Sequence, residues 1–208
     1  MPNPRGRPAG TSGQAPVLSS DQIKRVVRTA KGRPRLGSRA VAILSMSLAL
    51  GLRAKELAAL TWGDVFDDAD EVRQVLHLRA AYTKGTKTRD LFLVAPKLRQ
   101  VLETYRVHSL RWLPTPGAPL FASQRGGHLR AASLARFLKQ LYREAGLPGA
   151  SSHTGRRTFI TNLAEQGIDL KAISILAGHA NIKTTAKYVE ASPAKLSRIL
   201  AGTSWLTF

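Results

Sequence analysis

One apolar run constrains this chain more than any other feature: "AVAILSMSLALGL", residues 40–52. It is short of the roughly 20 residues that a bilayer-spanning helix needs. Its Ser and Ala content suits a helix buried inside a soluble domain. Ser19 or Ser20 caps a helix carrying Ile23, Val26 and Val27, which "KGRPRLG" (31–37) breaks. The apolar run predicts a helix over about 38–50 that stops at Gly51, and "RAKELAAL" a shorter one over 53–60. Between 72 and 94 the pattern changes. "EVRQVLHL" and "RDLFLV" are β-rich and flank the polar "TKGTKT", which predicts a strand pair joined by a basic turn. Helices are expected at about 96–110 and 130–145, with "LPTPGAP" as a loop between them. Short helices follow over 154–166, 169–177, 181–190 and 193–201. The predicted fold class is mainly α with one small antiparallel β-sheet.

Charge narrows the partner. The chain holds 32 Lys and Arg against 13 Asp and Glu, a formal net charge of +19. Such an excess calls for a polyanion, with nucleic acid ahead of an acidic membrane surface. Arginine dominates, and its planar fork grips phosphate through two hydrogen bonds. There is no cysteine, which excludes disulfides, thiolate metal sites and a cysteine nucleophile. Arg5 and Arg7 have no apolar stretch behind them, so the N-terminus does not read as a secretory signal. The expected location is the cytoplasm, at the nucleoid, with no membrane association. Residues 1–17, "MPNPRGRPAGTSGQAPV", read as a disordered basic arm. Within it "PRGRPAG" is similar to an AT-hook, in which arginine enters a narrow minor groove. Arg5 and Arg7 are therefore candidate DNA contacts, a plain basic arm being the alternative. The expected divisions are an arm over 1–17, a main domain over 18–190 and a tail over 191–208.

Five places carry residues suited to phosphate chemistry. In "GLRAKEL", Arg53 and Glu56 share a helical face. The carboxylate either orients the guanidinium at a site or forms a surface ion pair. The turn "TKGTKTR" offers Lys84, Lys87 and Arg89, either reaching across to a substrate or standing on a solvated basic hairpin. In "HTGRR", His153 and Arg156 share a face that Phe159, Ile160 and Leu163 continue inward. A buried arginine is costly without a charged partner, which favours a pocket. The last two places lie in "AGHANIKTTAKYVE" (177–190). Along one continuous helix His179 and Tyr188 would stand about 13 Å apart, so they meet at one substrate only if the chain breaks between them. Gly178 favours a helix end and Asn181 a helix start. A surface helix with Tyr188 half-buried is the alternative.

The order Arg, Lys, His-x-x-Arg, Gly-His, Tyr resembles that of the tyrosine recombinase family, also called the phage integrase family, over about residues 18–190. "GLRAKEL", "TKGTKTR", "HTGR" and "AGHANIKTTAKY" carry the likeness. The resemblance implies a DNA breaking-rejoining fold and site-specific recombination of double-stranded DNA by integration, excision or inversion. A catalytically silent DNA-binding regulator and a type IB topoisomerase-like relaxase are the alternatives on the same fold. By resemblance Tyr188 is the nucleophile, forming a 3′-phosphotyrosyl link and freeing a 5′-hydroxyl. Arg53 and Arg156 clamp the non-bridging oxygens, His153 and His179 address the same phosphate, Lys84 is the general acid for the 5′-oxygen, and Glu56 braces Arg53. Lys87, Arg89 and Arg157 are expected to bind DNA beside them. No metal and no other cofactor is expected, because guanidinium groups supply the charge. Carboxylates at ligand spacing are also missing around His153 and His179. The expected assembly is a monomer when free and a dimer or tetramer on DNA, with the tail docking on a neighbour. The chain departs from the family pattern at Gly155, where an apolar residue is usual, at Arg157, where a second His is frequent, and at Ala177, where Leu is usual. Gly155 is expected to loosen the helix start that carries His153 and Arg156. The chain is similar to catalytic-domain-only members such as the fimbrial phase-variation invertases.

Overall fold

Helices dominate the computed structural model, which describes residues 15–34, 36–82, 88–109, 114–123 and 126–188. The apolar run forms most of α2 (Gly37–Leu50). It is apolar because most of it is covered: Ala40, Val41, Ala42, Ile43, Leu44 and Met46 are buried, and Ala49 is exposed. The covering helices are α1 (Ser20–Lys31), α5 (Pro96–Ser109) and α7 (Thr154–Glu165). α1 starts on a reciprocal cap. Ser19 Oγ accepts from the Gln22 amide, and Gln22 Oε1 accepts from the Ser19 amide, an arrangement worth about 1 kcal/mol. α5 opens on Pro96, whose missing N–H has no helical partner to lose in the first turn. α6 (Ala131–Glu144) lays Leu134, Leu138 and Leu141 along one buried stripe and packs on α1 and on α3 (Ala54–Ala59).

The strand pair forms as its sequence predicts. β1 (Val75–Leu78) and β2 (Arg89–Phe92) run antiparallel, with Leu76 opposite Leu91 and Leu78 opposite Arg89. Leu76, Leu78, Leu91 and Leu93 are buried, while His77 and Asp90 pair at 2.7 Å on the exposed face. Two short elements are additions to the sequence reading: α4 (Trp62–Val65) and a 3-10 turn over Ala80–Tyr82. α4 follows from Thr61, whose amide and hydroxyl both donate to Asp64 Oδ2 at 2.8 Å. This cap needs only four residues, too few for a hydrophobic period to register.

The last described helices, α7, α8 (Leu170–Ala177) and α9 (Ile182–Ala186), enclose a small second cluster. Ile160, Ala164, Ile173 and Ala177 form it, and Phe159, Leu163 and Tyr188 pack against it. Gly155 has a different part from the expected loosening. A Cβ there would overlap Ser47 Oγ and lie 3.0 Å from Ser47 Cβ. The missing side chain is what lets α7 close onto α2, and that closure carries Arg156 to the end of α2. The helix expected over 181–190 is shorter, Ile182–Ala186, and the one expected over 193–201 lies outside the described residues.

Candidate active site

The site starts where α2 stops. Two residues after Gly51, Arg53 takes the N-cap position of α3. Glu56 Oε2 accepts from the Arg53 backbone N–H at 2.8 Å, and Oε1 accepts from Arg53 Nη1 at 2.7 Å. One carboxylate therefore caps the helix and aims the guanidinium. Glu56 is fully buried, while the Arg53 side chain is 31% exposed. The arginine is held at one end and open at the other. A surface ion pair would expose both partners, so that alternative falls.

Arg156 reaches the same place from α7. It is buried and donates from Nη1 to the Gly51 carbonyl at 2.8 Å and from Nη2 to the Ala177 carbonyl at 2.6 Å. Both carbonyls stand at helix C-termini, where partial negative charge accumulates. Burial, and then the nearby Arg53, push the Arg156 guanidinium down to about 9, so it remains charged at neutral pH.

The break between His179 and Tyr188 is present. α8 ends at Ala177, and Gly178 adopts φ 64°, ψ 48°, a left-handed conformation that favours glycine. Asn181 then caps α9, its side-chain oxygen accepting from the Lys183 amide at 2.8 Å. The reversal brings the rings of His179 and Tyr188 together, centroids 6.1 Å apart and planes 16° from parallel. His179 Nδ1 shares a 2.8 Å hydrogen bond with the hydroxyl of the fully buried Thr185, which leaves Nε2 for a ligand. Burial first, then Arg156, Arg53 and Arg89, lower His179 from its ordinary 6.5 to about 4, so the ring is neutral near pH 7. Thr185 has no role in the sequence reading. Its only signal is membership of the Thr-Thr pair ahead of Tyr188.

The other candidates divide. His153 is the exposed N-cap residue of α7, and its ring makes no hydrogen bond among the described residues. Arg157 donates from Nη1 to the Ala15 carbonyl at 2.8 Å, and its guanidinium carbon lies 6.0 Å from the centre of the Tyr188 ring. Arg89 lies deeper than the sequence reading expects. Expected at the DNA, its side chain is only 8% exposed. Nη2 donates to Glu56 Oε2 at 2.9 Å and Nη1 to the Ala177 carbonyl. Strand parity is the reason: Arg89 falls on the same face of β2 as the buried Leu91 and Leu93. Arg5, Arg7, Lys84 and Lys87 lie outside the described residues. Among the described residues no cluster of His, Asp and Glu is arranged to hold a metal ion. The structure thus unites Arg53, Glu56, Arg89, Arg156, His179 and Tyr188.

Comparison with known proteins gives a consistent picture. The profile of the phage integrase family matches residues 16–195. Tyrosine recombinase XerC of Brucella suis biovar 1 (strain 1330) is 33% identical over 187 residues, covering 88% of this chain and 56% of that protein. Tyrosine recombinase XerD of Oceanobacillus iheyensis is 32% identical, covering 86% of this chain and 59% of its own. The chain thus spans little more than half the length of these relatives. Among solved structures, that of XerA recombinase superposes with a TM-score of 0.73 at 28% identity, over 90% of this chain and 65% of that one. A lambda integrase dimer bound to a core site shares the fold, with a TM-score of 0.64 at 18% identity, over 97% of this chain and 65% of that one.

Proposed function

The chain belongs to the phage integrase family, and from that premise we propose that it cuts and rejoins double-stranded DNA at specific sites through Tyr188. The phenol oxygen of Tyr188 attacks the scissile phosphorus. The bond from phosphorus to the 5′-oxygen breaks, that oxygen leaves as a hydroxyl, and the 3′-phosphate stays on the tyrosine. Attack by a 5′-hydroxyl from another strand reverses the exchange, so the phosphodiester is restored without an external energy source.

The observation that carries this reading is the meeting of the His179 and Tyr188 rings beside Arg53 and Arg156. Two guanidinium groups supply fixed positive charge where the non-bridging oxygens gain negative charge in the transition state. Glu56 and the carbonyls of Gly51 and Ala177 hold those groups before any substrate arrives. Neutral His179 presents Nε2 to the same phosphate, and His153 approaches it from the start of α7. By resemblance Lys84 gives the proton to the departing 5′-oxygen. The net charge of +19 suits a DNA duplex, with Arg5, Arg7 and Lys87 as further contacts. The proposed assembly is a monomer in solution and a dimer or tetramer on DNA, residues 191–208 docking on the neighbour. No described helix is long and apolar enough to cross a membrane, and a place at the nucleoid follows from the proposed substrate.

The test uses a pool of nicked suicide duplexes of randomised sequence, in which cleavage traps the protein on the DNA. Wild-type protein is expected to give a detergent-resistant adduct, and Tyr188→Phe none. An undiminished adduct with Tyr188→Phe would assign the nucleophile elsewhere.

A further inference from the structure

Arg89 has no part in the reaction as written, yet it lies at the centre of the site. Its side chain is nearly as buried as that of Glu56. Among the described residues it alone bonds both Glu56 and the final carbonyl of α8, that of Ala177. A last-turn carbonyl has no partner within its own helix. This one accepts from two arginines, Arg89 and Arg156, while Arg53 Nη2 stands 3.4 Å from the next carbonyl, that of Gly178. Three guanidinium groups, from β2, from the start of α3 and from α7, close on residues 177–178 immediately ahead of His179. Gly178 completes the fit. A Cβ there would lie 2.8 Å from Arg89 Cδ and 3.0 Å from Cζ, so the guanidinium rests directly under the loop.

We propose that Arg89 is a positioning residue: from β2 it locks the loop that carries His179 to the Glu56–Arg53 pair, and it contacts no DNA itself. The inference rests on the function proposed above. Arginine suits the task and lysine does not. The fork reaches two acceptors on different elements at once, whereas an ammonium is a single point of charge. Without Arg89, Oε2 of buried Glu56 keeps only the Arg53 amide, and the loop loses one of its ties. Arg53 and His179 then shift relative to each other and to a bound phosphate. A displacement of about 1 Å at a reacting centre costs about 100-fold in rate.

The experiment compares wild type with Arg89→Met and Arg89→Lys. Three quantities are measured: affinity for a fixed duplex across a salt series, the rate of adduct formation on the nicked pool, and titration of the His179 ring by NMR. Arg89→Met is expected to bind with unchanged salt slope, to form adduct about 100-fold more slowly, and to titrate His179 above its wild-type value, because a nearby positive charge has gone. Arg89→Lys is expected to keep the low His179 value yet cleave about 10-fold more slowly than wild type, since the charge remains and the fork is lost. Wild-type cleavage by Arg89→Met overturns the proposal. So does a fall in affinity with a salt slope shallower by about 0.9, which would make Arg89 a phosphate contact. Should Arg89→Met fail to fold, Arg89→Lys decides, and wild-type cleavage by it overturns the proposal. If wild type itself gives no adduct, the proposed function fails, and the NMR shifts of the Gly178 and His179 amides judge separately whether Arg89 holds the loop: shifts unmoved in Arg89→Lys overturn the proposal.

Discussion

His179 is a side chain on which burial and charge act in the same direction. A partly desolvated ring and then three nearby arginines hold it neutral, so by NMR it is expected to titrate near 4 rather than near 6.5 in the free protein. Bound DNA phosphate should raise that value. Between about 4 and 6.5 the unfolded chain takes up protons that the folded His179 refuses. His179 should therefore lower folding stability as pH falls through that window and leave it unchanged above the window. Denaturant unfolding at a series of pH values, with His179→Gln as the control, checks the sign. The hydrogen bond between Thr185 and His179 predicts a second effect. Thr185→Val keeps the shape and removes the hydroxyl, a loss of about 1 kcal/mol in ring placement, or about fivefold in adduct rate, while Thr185→Ser should cleave as wild type. Arg53, Arg156, His179 and Tyr188 are legible in the sequence because each sits in a short pattern whose spacing fixes a helix face or a break. Thr185 is not, because its partner is reached only after the chain reverses. Arg89 misleads for another reason. It ends a basic turn and looks solvated, while its parity with Leu91 and Leu93 already points it inward.

Elements hold these residues in register through close approaches as much as through caps. The sequence predicts α2, α5, α6, α7 and α8 to within a residue or two, because each has a strong period or a defined end. α4 escapes because a single capped turn has no period. Gly155 is misjudged for a related cause: a glycine in a first turn looks like a weakness until its neighbour, Ser47 on α2, is known. Gly155→Ala should therefore overpack the α2–α7 contact and lower stability by about 1–3 kcal/mol. Thermal or urea unfolding measures it. A neutral or stabilising Ala would mean that α7 does not sit against α2 as described. The break at Gly178 and Asn181 works at the same scale. One left-handed residue and one cap turn a separation along a helix axis into two stacked rings.

Over the whole molecule, the proposed function assigns the holding of DNA to charge and its cleavage to Tyr188. Affinity should fall steeply with salt, each neutralised phosphate adding about −0.9 to the log–log slope. Removing residues 1–14 takes away Arg5 and Arg7 but leaves two anchors of the entering chain, Arg157 to the Ala15 carbonyl and the Leu18 amide to Thr158 Oγ1. The truncated protein should keep its fold and show a shallower slope, and an unchanged slope would mean that the arm does not touch DNA. The most direct measurement is the position of the covalent bond. Adduct recovered from the nicked pool is digested with a protease and a nuclease, and the nucleotide-bearing peptide is sequenced by mass spectrometry. A nucleotide joined through its 3′-phosphate to Tyr188 is the predicted result. Attachment at Tyr82, Tyr105 or Tyr142, at a serine or histidine, or through a 5′-phosphate would contradict it.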